Sequence, residues 1–321
     1  MNKFRYILLL FLSFSSITGL AQDSDLKIGQ PFEPAYSQYW VNGLAINPAY
    51  TGSRECFSNT VLYRNQWMGF DGAPVSQTLS SHAPFKDQKN AMGIFLFHDA
   101  IGVTDYIDIY ANYAFRFQLG QGKLSLGVRA GATIFQGNYA DIVSSPEDIK
   151  NDFVLDNESA TFPNVGVGVY YYSDKYFVGL SVPKLLSHEV KNSQKKMSFS
   201  PNNYDFLLTA GYLIKLSEIV KVKPSFLLRY RLDIALQIDG SINFILYDAL
   251  WAGFSYRAGV SSEYNDEYSV MLEYQVTNQI RVGTAYDFAS GDLAGQHAGS
   301  LEIVLRYEFK YKIRAVSPRY F

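Results

Sequence analysis

Ile107-Asp108-Ile109-Tyr110-Ala111-Asn112-Tyr113-Ala114-Phe115-Arg116-Phe117-Gln118 decides the fold class. Successive side chains of a strand point to opposite faces. Ile107, Ile109, Ala111, Tyr113, Phe115 and Phe117 therefore share one face, and Asp108, Tyr110, Asn112, Ala114, Arg116 and Gln118 share the other. The next segment repeats the pattern: Leu124, Leu126, Val128, Ala130, Ala132 and Ile134 alternate with Lys123, Ser125, Gly127, Arg129, Gly131 and Thr133. Near the end, Leu301, Ile303, Leu305, Tyr307 and Phe309 alternate with Ser300, Glu302, Val304, Arg306 and Glu308. Such segments start near residues 58, 75, 90, 105, 122, 163, 175, 203, 220, 235, 250, 266, 279 and 297.

Many of these segments reach the roughly 9–11 residues that a tilted membrane strand needs. A soluble sandwich or propeller also alternates, but its strands average about 5–6 residues. Some joints are short (Gly120 to Gly122, Ser173 to Lys175, Asn278 to Gln279), and others are long, notably Asn138 to Phe162 and Lys184 to Asn203. Short turns at one mouth and long loops at the other are expected of an outer-membrane barrel. Tyr170 to Tyr172, Tyr176, Phe177, Tyr247, Trp251, Tyr307 and Phe309 cluster at strand ends, as interfacial girdles would. The expected fold is all-β: a transmembrane antiparallel β-barrel of about fourteen strands with an N-terminal plug or cap segment. No sequence repeat of the solenoid kind is visible.

Composition narrows the function. The 321 residues carry 28 Lys+Arg against 30 Asp+Glu, a net charge of −2, so no basic excess invites nucleic acid. A mean hydropathy of −0.06 is too polar for a bundle of membrane helices. One cysteine leaves no disulfide framework. Residues 1–21 read as a signal peptide: Lys3 and Arg5, the apolar run Ile7 to Leu12, then Gly19 and Ala21 at −3 and −1 of a cleavage site before Gln22. With export, the barrel belongs in the outer membrane, in contact with its lipid.

Enzymatic signals are thin. His82, His98, His188 and His297 show no metal-ligand spacing and join no Ser or Cys nucleophile. His98-Asp99 is the nearest to a catalytic fragment, but adjacent strand residues face opposite ways. Gly127 to Gly131, and Gly166 with Gly168, sit inside strands with no helix following. They read as close backbone approach or curvature, not a phosphate loop. No catalytic residue, metal site or cofactor is expected. If apolar faces meet lipid, the lumen receives Asp108, Arg116, Arg129, Arg229, Arg231, Glu267, Glu273, Arg281, Asp287, Glu302 and Arg306. An ion-selective pore favours rings of one sign. Mixed signs either pair with one another or grip a polypeptide.

Ahead of the first strand, Ser37-Gln38-Tyr39-Trp40-Val41-Asn42 leads into Leu44-Ala45-Ile46-Asn47-Pro48-Ala49-Tyr50-Thr51-Gly52-Ser53. Asn-Pro-Ala-Tyr followed by Gly is turn chemistry, Pro setting φ and Gly allowing a left-handed position. Its apolar residues are too broken for a lipid-facing strand, so it reads as a plug or a periplasmic cap. Arg64-Asn65-Gln66-Trp67-Met68-Gly69-Phe70-Asp71-Gly72-Ala73-Pro74 then reads as a first hairpin with a Gly/Pro-rich turn.

These motifs resemble the PorP/SprF family of type IX secretion system membrane proteins. The resemblance rests on Gln38-Tyr39 with Asn42, on Asn47-Pro48-Ala49-Tyr50 with Gly52, and on Gln66 to Pro74 with Gln77-Thr78. Gly179 to Leu185 and the terminal Ser317-Pro318-Arg319-Tyr320-Phe321 add to it. Trp40 and Val41 stand where other hydrophobic residues are expected. The resemblance implies a non-enzymatic outer-membrane barrel that helps secrete, stabilise or hold large surface proteins such as gliding adhesins. Its implied partners are the adhesin's C-terminal sorting domain and the periplasmic and outer-membrane parts of the same machinery. The expected partner-binding residues are Gln38, Tyr39, Asn42, Asn47, Pro48, Tyr50, Gln66, Trp67, Phe70, Arg116, Arg129, Arg281, Arg306, Arg319, Tyr320 and Phe321, with the Asn-Pro-Ala-Tyr segment and the tail facing the periplasm.

The expected organisation is a plug or periplasmic segment over 22–57, the barrel over 58–310 and a tail over 311–321. The competing expectation is a small-solute porin, with the Asn138 to Phe162 loop as its constriction. Passage of a folded domain is not expected, since fourteen strands enclose less than the 16–18 of the large porins.

Overall fold

The computed structural model describes residues 36–138, 157–191, 194–232, 234–259, 267–288 and 298–309. The signal segment, most of the Asn138 to Phe162 connection, His297 and the tail carrying Arg319, Tyr320 and Phe321 lie outside the described residues.

Seven strands follow one another around the wall: β1 (Phe57–Asn65), β2 (Val75–Pro84), β3 (Asn90–Ile101), β4 (Thr104–Leu119), β5 (Gly122–Gly137), β6 (Glu158–Tyr172) and β7 (Tyr176–Val182). A hairpin of β8 (Leu186–Lys191) and β9 (Gln194–Phe199) forms a separate two-stranded sheet. The wall resumes with β10 (Phe206–Tyr212), the two-residue β11 (Ile214–Lys215), β12 (Val220–Arg231), β13 (Ile234–Leu246), β14 (Leu250–Gly259), β15 (Glu267–Gln275), β16 (Ile280–Phe288) and β17 (Ser300–Phe309). β17 pairs with β1 and β10 with both β7 and β12, so fourteen antiparallel strands close into a barrel and β11 is an appendage. All fourteen expected segments are present. The differences are the β8–β9 hairpin, inside what reads as a plain connection, and β6, which begins five residues ahead of the expected 163.

Closure removes the open edges that lipid would not tolerate, because the bilayer core offers backbone groups no hydrogen-bond partner. The β12–β13 register shifts between Arg229 and Arg231, and the pairing on the other side of β12 breaks at Pro224. Gly211 pairs with Ser225 and Ile214 with Val222, so the shared register puts Tyr212 opposite Pro224, which has no N–H to donate. Leu213 N–H turns instead to the carbonyl of Lys175, at 2.6 Å.

The period-two reading holds residue by residue. On β4, Ile109, Tyr113 and Phe115 are exposed while Asp108, Tyr110, Asn112 and Arg116 are buried. On β17, Ile303, Leu305 and Phe309 face out while Glu302, Val304, Arg306 and Glu308 face in. A one-residue slip would bring every charge into lipid, which pins the register. The girdle expectation needs correction at four positions. Tyr176 and Phe309 do face outward near one rim, and Tyr247 at the same rim is 72% exposed, but Tyr170, Phe177 and Trp251 are buried inside and Tyr172 packs inward beside Tyr170. Their strand parity, not their nearness to a strand end, decides which way they point.

The mouth where β1 starts and β17 ends carries the short turns 85–89, 120–121, 173–175, 247–249 and 276–279. Asp87 fixes the first of these by accepting the N–H groups of Lys89 (3.0 Å) and Asn90 (3.1 Å). The Asn90 bonds hold its carboxyl below the ordinary range. The opposite mouth carries the long connections 66–74, 138–157, 183–205 and 289–299. By that asymmetry the first mouth is periplasmic and the second faces outward.

Candidate functional site

Residues 36–54 are all buried. Asn42 precedes one helical turn, α1 (Gly43–Ile46), and Asn47 then caps a 3₁₀ turn over Pro48–Tyr50. The Asn47 side-chain oxygen accepts Ala49 N–H at 2.8 Å, and Pro48 occupies the first position, where no N–H is needed. Gly52 follows at φ +76°, a left-handed position beside Ala91 that suits only glycine.

Such short helical turns leave most of their backbone groups orphaned, and the barrel wall supplies the partners. Arg129 donates to the carbonyls of Leu44 (2.6 Å) and Ala45 (3.3 Å), and Ser181 donates to Ile46 (2.6 Å). Ser125 donates to the carbonyl of Ala49 (2.6 Å), Arg116 to that of Gly52 and Arg306 to that of Val41. Glu302 accepts the N–H groups of both Ser37 and Gln38, each at 3.1 Å. Hydrogen bonds to charged groups are each worth about 1.5–3 kcal/mol. Part of the mixed lumen charge therefore grips a polypeptide, the chain's own N-terminal segment, and part pairs within the barrel, as in Lys184–Asp108 (2.9 Å), Arg231–Asp205 (2.5 Å) and Arg257–Asp239 (2.6 Å).

Side chains of the segment reach most of the circumference. Tyr36 shares a hydrogen bond with Thr78 at 2.8 Å. The Tyr39 hydroxyl lies 3.2 Å from Ser225 and 3.3 Å from Ser241, and Trp40 Nε1 donates to Glu273 at 3.2 Å. Asn42 accepts from Ser80 at 2.6 Å, and Asn47 donates to the carbonyl of Val169 at 3.1 Å. Tyr50 stands edge-on to His82 and to Tyr170, each ring 5.5 Å away. At the outer side Arg64 bridges Asp287 (2.6 Å) and Glu302 (3.3 Å), while at the periplasmic side Arg54 meets Glu308 at 2.7 Å. Arg281 lies over the Trp251 ring, 4.5 Å from its centroid, and 3.6 Å from Glu273. A cavity of about 20 Å³ between Trp40, Ile46, Tyr50, Tyr170 and Phe177 has room for about one water molecule.

The strand glycines explain the fit. A Cβ at Gly127 would overlap the backbone of Ala49, and one at Gly168 would overlap the Asn47 side chain. The close approach read from these glycines is thus the approach of Asn47-Pro48-Ala49 to the wall of β5 and β6.

The expected site residues therefore fall into separate places. Gln38, Tyr39, Asn42, Asn47, Pro48 and Tyr50 lie in the lumen, packed there rather than facing the periplasm, and Arg116, Arg129, Arg281 and Arg306 line the wall around them. Gln66, Trp67 and Phe70 lie in the β1–β2 loop at the outer mouth. That loop is braced. Met68 exchanges backbone bonds with Gly299 and Ala298 (both 2.8 Å), Trp67 N–H reaches Ser300 at 3.2 Å, and Gly102 N–H reaches Gly72 at 2.9 Å. Trp67 is held at φ +46°, a conformation that a bulky residue keeps only when its surroundings impose it. Phe70, at the tip, is 49% exposed. Arg64, Ser125 and Ser181 also hold the segment and are absent from the expected set, since their partners Ser37, Ala49 and Ile46 meet them only once the barrel has closed.

His98 pairs with Asp105 at 2.9 Å, and its neighbour Asp99 accepts from Ser76 at 2.6 Å. No group of three or more His, Cys, Asp or Glu side chains among the described residues is arranged to hold a metal.

The profile of the family described as "Type IX secretion system membrane protein PorP/SprF" matches residues 30–307. No curated protein matches the chain. Among solved structures it is similar to the CymD monoaromatic hydrocarbon channel, at 14% identity and a TM-score of 0.52, covering 84% of this chain and 93% of that one. The Acinetobacter baumannii outer membrane protein Omp33 aligns at 9% identity and a TM-score of 0.48, covering 79% and 99%. At these identities the likeness to CymD is one of fold, the outer-membrane barrel.

Proposed function

Because the chain belongs to the PorP/SprF family of type IX secretion system membrane proteins, we propose that it is a closed docking barrel that helps secrete and anchor a large cell-surface adhesin. In this reading the adhesin's C-terminal sorting domain binds the outer mouth, and other parts of the secretion machinery bind from the periplasmic side. The observation that carries the reading is the occupied lumen: residues 36–54 fill it, and the polar wall that could have gripped cargo already holds this segment. Binding then falls to the outer loops. The β1–β2 loop suits the task, because it is braced before any partner arrives and loses little freedom on binding. Phe70 offers the kind of aromatic anchor on which interfaces concentrate their energy.

The small-solute porin is the rival. It needs a continuous aqueous path where the structure places the segment, and its measurement is conductance in planar bilayers. The deciding experiment is deletion of the gene followed by proteomics of the cell surface and culture medium. Loss or shedding of one or a few very large surface proteins, other exported cargo being intact, is the expected result. Unchanged surface proteins with reduced uptake of a small solute would overturn it.

A further inference from the structure

Residues 36–56 meet the barrel wall in an order that runs from one mouth to the other. Arg54 pairs with Glu308, next to the end of β17. Gly52 meets His82 and Arg116, near the same end of β2 and β4. Ala49 meets Ser125, early in β5, and Leu44 meets Arg129 near the middle of that strand. Ser37 and Gln38 meet Glu302 close to the start of β17, and Ser37 donates to Asp287 (2.6 Å) just before β16 ends. The carbonyl of Tyr36 accepts from Arg257, near the far end of β14. The segment thus enters β1 at the periplasmic mouth with its other end at the outer mouth.

We propose that the chain ahead of Tyr36 is delivered to the cell-surface side, so that the lumen segment is threaded from mouth to mouth rather than folded up from below. The proposal rests on the outer-membrane orientation used above. A plug tethered and ending at one mouth could swing out on a hinge. A threaded one leaves toward the periplasm only by drawing everything before it, Asp23, Asp25, Lys27 and Glu33 included, back through a packed interior. Threading also sets an order of assembly, since the β1–β17 seam can seal only around a segment already inside. The stretch before Tyr36 then shares a compartment with the surface cargo.

Single cysteines at three positions test this with a membrane-impermeant maleimide on cells, the unaltered protein with its buried Cys56 serving as the blank. Asp71→Cys marks the β1–β2 loop, Asp174→Cys marks the β6–β7 turn at the opposite mouth, and Ser24→Cys reports on the chain ahead of Tyr36. The expected result is that Ser24→Cys labels in intact cells to the same extent as Asp71→Cys, while Asp174→Cys labels only after the outer membrane is permeabilised. If Ser24→Cys instead tracks Asp174→Cys, or stays unlabelled under both conditions, the proposal is wrong. Should the two markers exchange behaviour, the orientation fails, and threading is still judged by whether position 24 follows position 71.

Discussion

The two sides of the lumen hold the same segment by different physics. On β5 and β6 the wall is hollowed by glycines, and Asn47-Pro48-Ala49 sits against bare backbone, with Ser125 closing on the carbonyl of Ala49 and Arg129 on those of Leu44 and Ala45. On β1, β16 and β17 the wall is built up with charge, and Arg64, Asp287 and Glu302 take hold of Ser37 and Gln38. One side fixes position by shape, the other by desolvated, charge-assisted hydrogen bonds. Shape complementarity forbids a larger side chain, whereas a charged grip forbids the loss of a partner.

Substitutions can break that contrast, and the charged side should respond most. Glu302→Ala strips two segment N–H groups and one carboxylate from buried Arg64, and breaking a buried pair typically costs about 3–5 kcal/mol. A large fall in the urea midpoint of the barrel in detergent, followed by tryptophan fluorescence, is the expected outcome, with Glu302→Gln milder because its shape is kept. On the shaped side, Gly127→Val drives a branched side chain into the Ala49 backbone, an overpacking of about 1–3 kcal/mol. The same titration should show a smaller shift, together with faster trypsin cleavage in the lumen segment. Asn47→Ala removes the cap of the Pro48–Tyr50 turn and the bond to Val169, for about 0.5–2 kcal/mol. Equal costs at Glu302 and Gly127 would erase the distinction between the walls. Phe70→Ala lies outside both and should leave stability within about 0.5 kcal/mol. Under the docking reading it should nevertheless release the adhesin into the medium, measured on washed cells.

Legibility followed the length scale of each signal. Alternation within β4, β5 and β17 is local, so strand positions and inward faces could be read directly, Arg116, Arg129 and Glu302 among them. The turn at Asn47-Pro48 and the glycine at Gly52 were equally local. The partners of Asn47 were not, because Val169 lies 122 residues away in sequence and meets it only once the barrel has closed. The bracing of Gln66 to Pro74 by Ala298 and Gly299 is hidden for the same reason. For aromatic residues nearness to a strand end does not give direction: Tyr170, Tyr172, Phe177 and Trp251 obey parity and point inward. The β8–β9 hairpin was missed because its short strands lack a sustained apolar face.

The amino-acid sequence by itself determined the all-β class, the fourteen spans and the side of the wall on which each charge falls, since alternation and backbone hydrogen bonding in lipid allow one arrangement of these residues. Whether the inward charges would pair with one another, face water or hold a polypeptide was decided only by the tertiary structure. Those alternatives place the same residues on the same face. What separates them is the path of residues 36–56 through a closed wall, and a wall exists only when strands distant in sequence have met.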